Sequence, residues 1–185
     1  MSDSRFPKRY ADAVARLRVP SGFLLLAVFG WLSRPTLESL PMGVAIALLG
    51  LILRGWAAGH LAKNQKLVDS GPYRFTRNPL YLGTLIAATG LAVAARSWAV
   101  GGVVVGVFLL VYLPVMELEE QHLRKLFAAY GAYADAVPLL LPGFGYKGSR
   151  EAFRWPLYRK NEEYQFLGGF LAGVVFLYWR AVHAS

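Results

Sequence analysis

The sequence predicts an all-α, polytopic membrane protein of about five transmembrane helices, with a basic, aromatic site at one membrane face. Three observations carry this. Of 185 residues 56% are hydrophobic, and they come in blocks. The formal charge is +9, but Lys and Arg sit between the apolar runs, which argues against nucleic acid as a partner. There is no Cys, which excludes a disulfide framework, a thiolate metal site and a cysteine nucleophile. The chain reads as one domain, 1–185, with a core of about 41–142 followed by a basic segment and a last apolar helix over 143–185.

Residues Met1 to Arg18 are polar and basic, with a short interfacial helix expected over Tyr10 to Leu17. Val19 to Leu32 is apolar but shorter than the ~20 residues of a usual span. No small-residue cleavage site follows it at Trp31-Leu32-Ser33-Arg34, so it reads as a retained anchor. Ser33 to Thr36 is a turn, and Pro41 to Leu61 is the second span. Lys63 to Asn78 is a polar loop, and Leu80 to Ala95 is the third span. Arg96-Ser97 turns the chain into the fourth, Trp98 to Met116, and Glu117 to Val137 continues as a helix with mixed faces. Leu139 to Lys160 is irregular and basic, and Phe166 to Val182 is the fifth span. With five spans the N-terminus, the loop and the basic segment share one side, leaving Arg34, Arg96 and Arg180 opposite. The positive-inside rule makes the richer side cytoplasmic. The pairs Gly55/Gly59, Gly102/Gly106 and Gly169/Gly173 have the spacing of close helix contacts.

The stretch Ser70-Gly71-Pro72-Tyr73-Arg74-Phe75-Thr76-Arg77-Asn78-Pro79-Leu80-Tyr81-Leu82-Gly83 organises the chain. Asn78 suits a helix N-cap and Pro79 the first helical position, where no N–H is needed. A helix N-terminus, with free N–H groups and a positive dipole end, therefore meets the membrane surface beside Arg74 and Arg77. Tyr73, Phe75 and Tyr81 add flat faces. The set suits a ligand with an anionic end and an aromatic ring; a plain positive-inside loop with interfacial aromatics is the simpler alternative.

Treated as one helix, Glu117 to Val137 puts Glu119, Leu123, Leu126, Tyr130, Tyr133 and Val137 on one stripe. Glu117 falls on the solvent side, and Glu120 can pair with Arg124 one turn on. Glu119 heads an apolar stripe, where a carboxylate is costly without a partner. It is expected either to form an ion pair with Arg77, Arg54 or Lys63, or to bind the amino or hydroxyl groups of a ligand. His122 flanks the same stripe. Arg54 and His60 close the second span, where snorkelling accounts for Arg54. His60, His122 and His183 lie far apart, so no metal-ligand spacing is present. Phosphate loops, dinucleotide loops and nucleophile elbows are also missing.

The pattern Gly71-x-Tyr73-x-x-x-Arg77-Asn78-Pro79-x-Tyr81-x-Gly83 is followed by Glu119-Glu120-x-x-Leu123-x-x-x-Phe127-x-x-Tyr130-x-x-Tyr133 and then Val137-Pro138. Together these resemble the isoprenylcysteine carboxyl methyltransferase family, related to the membrane phospholipid N-methyltransferases. The resemblance covers His60 to Pro142 and implies an integral membrane enzyme using S-adenosylmethionine at the cytoplasmic face. By position it places cofactor contacts on Lys63, Gln65, Lys66, Leu67, Val68, Tyr73, Asn78, Pro79, Leu80, Tyr81 and Glu119; the alignment before Leu67 needs a gap. Arg77 and Glu119 are the expected catalytic residues. Asn78 stands where many members have His, and Ala128 replaces a common Gly. Val115 stands where prenylcysteine enzymes carry an Arg near the substrate carboxylate, which disfavours prenylcysteine as acceptor. The expected activity is methyl transfer to an amphiphilic or lipid-like acceptor, by carboxyl O-methylation or amine N-methylation, with membrane lipids as the surroundings. The alternatives are an NADPH-dependent, sterol-type reductase, for which the chain is short, and a non-enzymatic membrane protein.

Overall fold

A computed structural model describes Tyr10 and residues 26–183, and among these every regular element is helical. Residues 26–32 are helical. They are followed by α1 (Ser39–Ala58), a 3₁₀ turn (Gly71–Arg74) and α2 (Pro79–Ala94). Next come α3 (Trp98–Val107), a π-helical stretch (Phe108–Tyr112) and α4 (Leu113–Leu126). The chain ends with α5 (Tyr130–Ala136), α6 (Trp155–Lys160) and α7 (Glu163–His183). Among the described residues three helical runs are long and apolar enough to cross a membrane: Ser39–Ala58, Trp98–Leu126 and Glu163–His183. Pro79–Ala94 is a shorter apolar helix. The expected first span, Val19 to Leu32, and the interfacial helix at Tyr10 to Leu17 lie largely outside the described residues.

The α1–α2 hairpin is the frame. Gly43, Ala47, Gly50 and Arg54 on α1 face Ala94, Gly90, Ala87 and Gly83 on α2, in antiparallel order. A Cβ added at Gly43 would lie 2.4 Å from the Ala94 nitrogen, and one at Gly90 2.4 Å from the Ala47 nitrogen. One at Gly50 would lie 2.5 Å from the Gly83 carbonyl oxygen. Apolar side chains gain nothing by leaving lipid, so the drive for this contact is backbone-to-backbone packing, which only small residues permit. Of the three glycine pairs expected at helix contacts, the first meets α6 and the chain before it, Gly55 lying against Tyr158 and Gly59 against Phe153, while a Cβ added at Gly102, Gly106, Gly169 or Gly173 would meet no atom of the described residues within 4 Å. The far end of the hairpin is tied by Ser39 Oγ donating to the Ala94 carbonyl at 2.8 Å and by Arg34 N–H donating to the Ala95 carbonyl at 2.8 Å.

The fourth run is continuous from Trp98 to Leu126 but changes pitch in the middle. Pro114 has no N–H to give the Leu110 carbonyl one turn back. The helix widens to a π-helical pitch there, and the Tyr10 hydroxyl donates to that carbonyl at 2.7 Å. This bond places Tyr10 against the middle of the run.

The expected single helix over Glu117 to Val137 is broken. Phe127 is extended (φ −126°, ψ 114°), and α5 starts anew at Tyr130. In one straight helix Tyr130 would stand about 15 Å along the axis from Glu120. The break instead brings its hydroxyl to 3.2 Å from Glu120 Oε1. Leu139 to Arg154 is irregular as expected, and α6 then forms a short helix.

α7 is clamped to the hairpin by an ion pair. Arg54 Nε donates to Glu163 Oε1 at 2.5 Å and Nη2 to Oε2 at 2.9 Å. Nη1 reaches Thr84 Oγ1 at 2.5 Å and the Leu80 carbonyl at 3.3 Å. The guanidinium also lies 3.7 Å over the Phe166 ring. Arg54 therefore does not snorkel. Its side chain is 15% exposed and that of Glu163 7%, because a bidentate carboxylate answers the charge inside the protein.

Candidate functional site

Two distant segments meet at the loop end of the helices. One is the 59–78 loop with the start of α2. The other runs from α4 through α5 to the irregular chain at 137–143. Arg77 joins them twice. Its N–H donates to the Pro138 carbonyl at 2.9 Å, and Nη1 pairs with Glu120 Oε1 at 2.8 Å. The Tyr133 hydroxyl donates to the Tyr73 carbonyl at 2.7 Å, and Gly143 N–H to the Phe75 carbonyl at 2.8 Å. Leu67 packs against the cluster of Tyr130, Tyr133 and Val137. Tyr81 packs against Val115 and Met116, and its ring meets Tyr112 edge-on at 5.7 Å. Val115 and Glu119 are four residues apart on α4 and so share a face. The Glu119 charge is also felt at the Tyr73 hydroxyl.

Two expectations about charge pairing are corrected. Glu120 does not pair with Arg124; it takes Arg77 and the Tyr130 hydroxyl, while Arg124 lies 5.5 Å over the Tyr130 ring. Nor does Glu119 pair with Arg77, Arg54 or Lys63. Arg77 belongs to Glu120 and Arg54 to Glu163, and Lys63 is exposed. Glu119 is half-buried with no hydrogen-bond or ion-pair partner among the described residues. A donor is left over as well: Arg77 Nε is buried and has no hydrogen-bond partner among the described residues.

Asn78 holds the N-cap position, yet its side chain caps nothing. With φ −126° and ψ 56°, its Nδ2 reaches instead to the Leu139 carbonyl at 3.0 Å. The first turn of α2 is therefore left without a side-chain cap. Pro79 is buried at the helix start, and the Leu80 carbonyl accepts from Arg54. Val68 and Tyr73 are buried together with Ala57, Ala62 and Leu157. Lys66 pairs with Glu151, and Lys63 and Gln65 lie exposed at the rim. Leu67, Tyr73, Arg77, Asn78, Pro79, Tyr81 and Glu119 thus gather at one end, whereas Lys63 and Gln65 touch none of them through a hydrogen bond or ion pair.

Sequence reasoning missed Glu120, Tyr130 and Tyr133 as parts of this centre. It also missed Asp69, which accepts from Tyr146 at 3.1 Å and from Ser149 at 2.5 Å. Burial pushes the Tyr73 phenol well above its ordinary range, with the Tyr133 and Glu119 charges adding to it. Burial and then Glu120 do the same for Tyr130, and burial and then Tyr130 for Tyr133. All three phenols are neutral donors near physiological pH. His60, bonded to Ser70 Oγ at 3.0 Å, is shifted down by burial, against the opposing pull of Glu151.

Among the described residues no group of three His, Asp or Glu side chains is placed to hold a metal ion. No solved structure matches the chain. Two curated relatives do. The cobalt-zinc-cadmium resistance protein CzcN of Cupriavidus metallidurans is 37% identical over 115 residues, 60% of this chain and 51% of the relative. The nickel-cobalt-cadmium resistance protein NccN of Alcaligenes xylosoxydans xylosoxydans is 30% identical over 114 residues, 60% of this chain and 52% of the relative. The chain spans about half the length of these relatives. The sequence profile of the phospholipid methyltransferases matches residues 18–130, which include the loop, the start of α2 and Glu119-Glu120. With more than half of its length matched by that profile, the chain belongs to the phospholipid methyltransferase family.

Proposed function

We propose that this membrane methyltransferase takes its methyl group from S-adenosylmethionine and passes it to an amphiphilic acceptor at the cytoplasmic face. The observation that carries this reading is a pair of polar groups at one centre that the described residues leave unmet: the buried Arg77 Nε and the half-buried carboxylate of Glu119. A buried donor without a partner costs about 1–3 kcal/mol, so a ligand that supplies one is favoured there. An amino-acid end offers a carboxylate for Arg77 and the uncapped start of α2, and an amine for Glu119. Tyr73 and Tyr81 offer rings for a sulfonium or an adenine. S-adenosylmethionine supplies, when bound, a methyl group activated on a sulfonium.

The chain's own residues do the positioning. Glu120 and Tyr130 fix the Arg77 guanidinium, Tyr133 fixes the Tyr73 backbone, and Asn78 ties the α2 start to Leu139. Held geometry of this kind substitutes for the entropy of bringing two reactants together. Because the three phenols are neutral, none serves as a base; a carboxylate acceptor needs none, while an amine must arrive or be made neutral.

The test is incubation of membranes containing the chain with methyl-labelled S-adenosylmethionine, followed by lipid extraction. Label in the organic phase, reduced in Glu119→Gln, is expected. Label absent from lipid and soluble fractions alike overturns the reading. NADPH is the control ligand for a reductase.

A further inference from the structure

An elongated cavity of about 670 Å³ lies between residues 26–30, α2, α3 and α7, within the size range of ligand pockets. It is lined almost wholly by apolar side chains. At ~1.5 Å per residue its walls run about 10 Å along α2, from Thr84 to Leu91, and about 18 Å along the fourth run, from Val100 to Tyr112. That is a third to a half or more of the ~30 Å hydrocarbon core. Polar lining groups cluster at the loop end: Thr84, Tyr112 and Gln165. Both Thr84 and Tyr112 lead into the centre already described, through the Arg54 bond to Thr84 and the Tyr112 contact with Tyr81. The other end is stopped by the Phe29 and Phe176 rings, 6.3 Å apart, and behind them Arg180 donates to the Gly30 carbonyl. Gly169 and Gly173 border the open space, since a Cβ on either meets no atom of the described residues within 4 Å.

We infer that this cavity holds one aliphatic chain of the methyl acceptor, and that Phe29 and Phe176 set how long that chain can be. The occupant follows from the walls. A slot inside the apolar layer whose described walls offer polar partners at one end alone cannot hold a file of water, whereas a hydrocarbon chain fits it and leaves its head at the Thr84–Tyr112 end. Selectivity must come from shape, because lipid solvates a chain as well as the protein does. The inference rests on the methyl-transfer reading, since it assigns the chain to that reaction's acceptor.

The experiment uses the full chain in a short-chain detergent, with octyl, dodecyl and hexadecyl phosphocholine as probes and native mass spectrometry as readout. Wild type is expected to retain one long-chain probe per protein. Gly173→Leu, which fills the slot about two thirds to three quarters of the way from Gln165 to Phe176, is expected to lower hexadecyl retention by about tenfold or more and to spare octyl, on the scale of misfit in apolar pockets. Phe176→Ala opens the floor and is expected to shift retention towards the longest chain. If Gly173→Leu does not fold, as judged by circular dichroism, the direction of the Phe176→Ala shift decides. The same retention ladder in wild type and variants means annular lipid only, and overturns the inference. S-adenosylmethionine binding is measured on the same samples. A normal chain ladder with no donor binding refutes the methyl-transfer reading alone; donor binding with an unresponsive ladder refutes this inference alone.

Discussion

The neighbours Glu119 and Glu120 should respond differently to the same substitution by Gln, Glu120 in stability and Glu119 in affinity. Glu120 is 16% exposed and holds Arg77, itself 13% exposed, at 2.8 Å; it also accepts from Tyr130 at 3.2 Å. Breaking a fully buried ion pair costs about 3–5 kcal/mol. Glu120→Ala also strands the Tyr130 hydroxyl, worth about 1 kcal/mol. Because some water reaches the pair, we expect about 2–4 kcal/mol in total. Glu120→Gln keeps an acceptor for both partners, and we expect about 1–2 kcal/mol. Glu119 has no partner to lose among the described residues, so Glu119→Gln should stay within about 0.5 kcal/mol of wild type. The assay is unfolding in detergent without ligand, followed by donor affinity on the same preparations. Glu120 substitutions should lower stability, and Glu119→Gln should lower affinity at unchanged stability. Equal stability losses at the two positions would refute the assignment of partners.

The Arg54–Glu163 clamp should show strong coupling: Glu163→Gln alone should be severely destabilising, by about 3–5 kcal/mol, and Arg54→Met with Glu163→Met should recover part of that in a double-mutant cycle of detergent unfolding. On the α1–α2 seam, Gly90→Val should prevent recovery of folded protein by size-exclusion chromatography, because its Cβ meets the Ala47 backbone, while Gly102→Val should behave as wild type. Tyr133→Phe should cost about 1–2 kcal/mol through the lost bond to the Tyr73 carbonyl. His60 is shifted below its ordinary 6.5, so folding favours its neutral form. Its contribution is complete above 6.5 and is lost as the pH falls through that value towards the folded pKa, where the unfolded chain takes up the proton first. Melting temperature should therefore fall from neutral to mildly acidic buffer, and His60→Gln should flatten that fall.

Much of the fold was legible because the membrane imposes it. Long apolar blocks separated by basic loops leave few arrangements, and Pro79 marks the start of α2 through its own missing N–H. The seam was legible too, in Gly43-x-x-x-Ala47-x-x-Gly50, but equally good glycine spacings elsewhere drew attention from it. What identified the close contact was which backbone lay opposite, and that is tertiary information. The charge pairs failed for a related reason. Placing Glu119 and Glu120 on faces assumed that α4 ran on to Val137. The extended Phe127 ends that periodicity, and the partner of Glu120 comes from Arg77 in another segment. Arg54 read as a snorkelling residue because its answering carboxylate, Glu163, lies far along the sequence. The convergence of the loop with the segment after the fourth run was visible only as a joint motif, and the tyrosines that fasten it were read as one stripe of a helix that does not exist.

The central claim is that the loop and α4 grip one methyl donor between them. Titration calorimetry of S-adenosylmethionine into the detergent-purified chain, beside Glu119→Gln and Tyr81→Ala, tests it most directly. Saturable binding to the wild type is predicted, with a loss of about tenfold or more in Glu119→Gln, the scale of one charge-assisted hydrogen bond, and weakening in Tyr81→Ala as well. No binding to the folded wild type, or the same affinity in all three proteins, would contradict it.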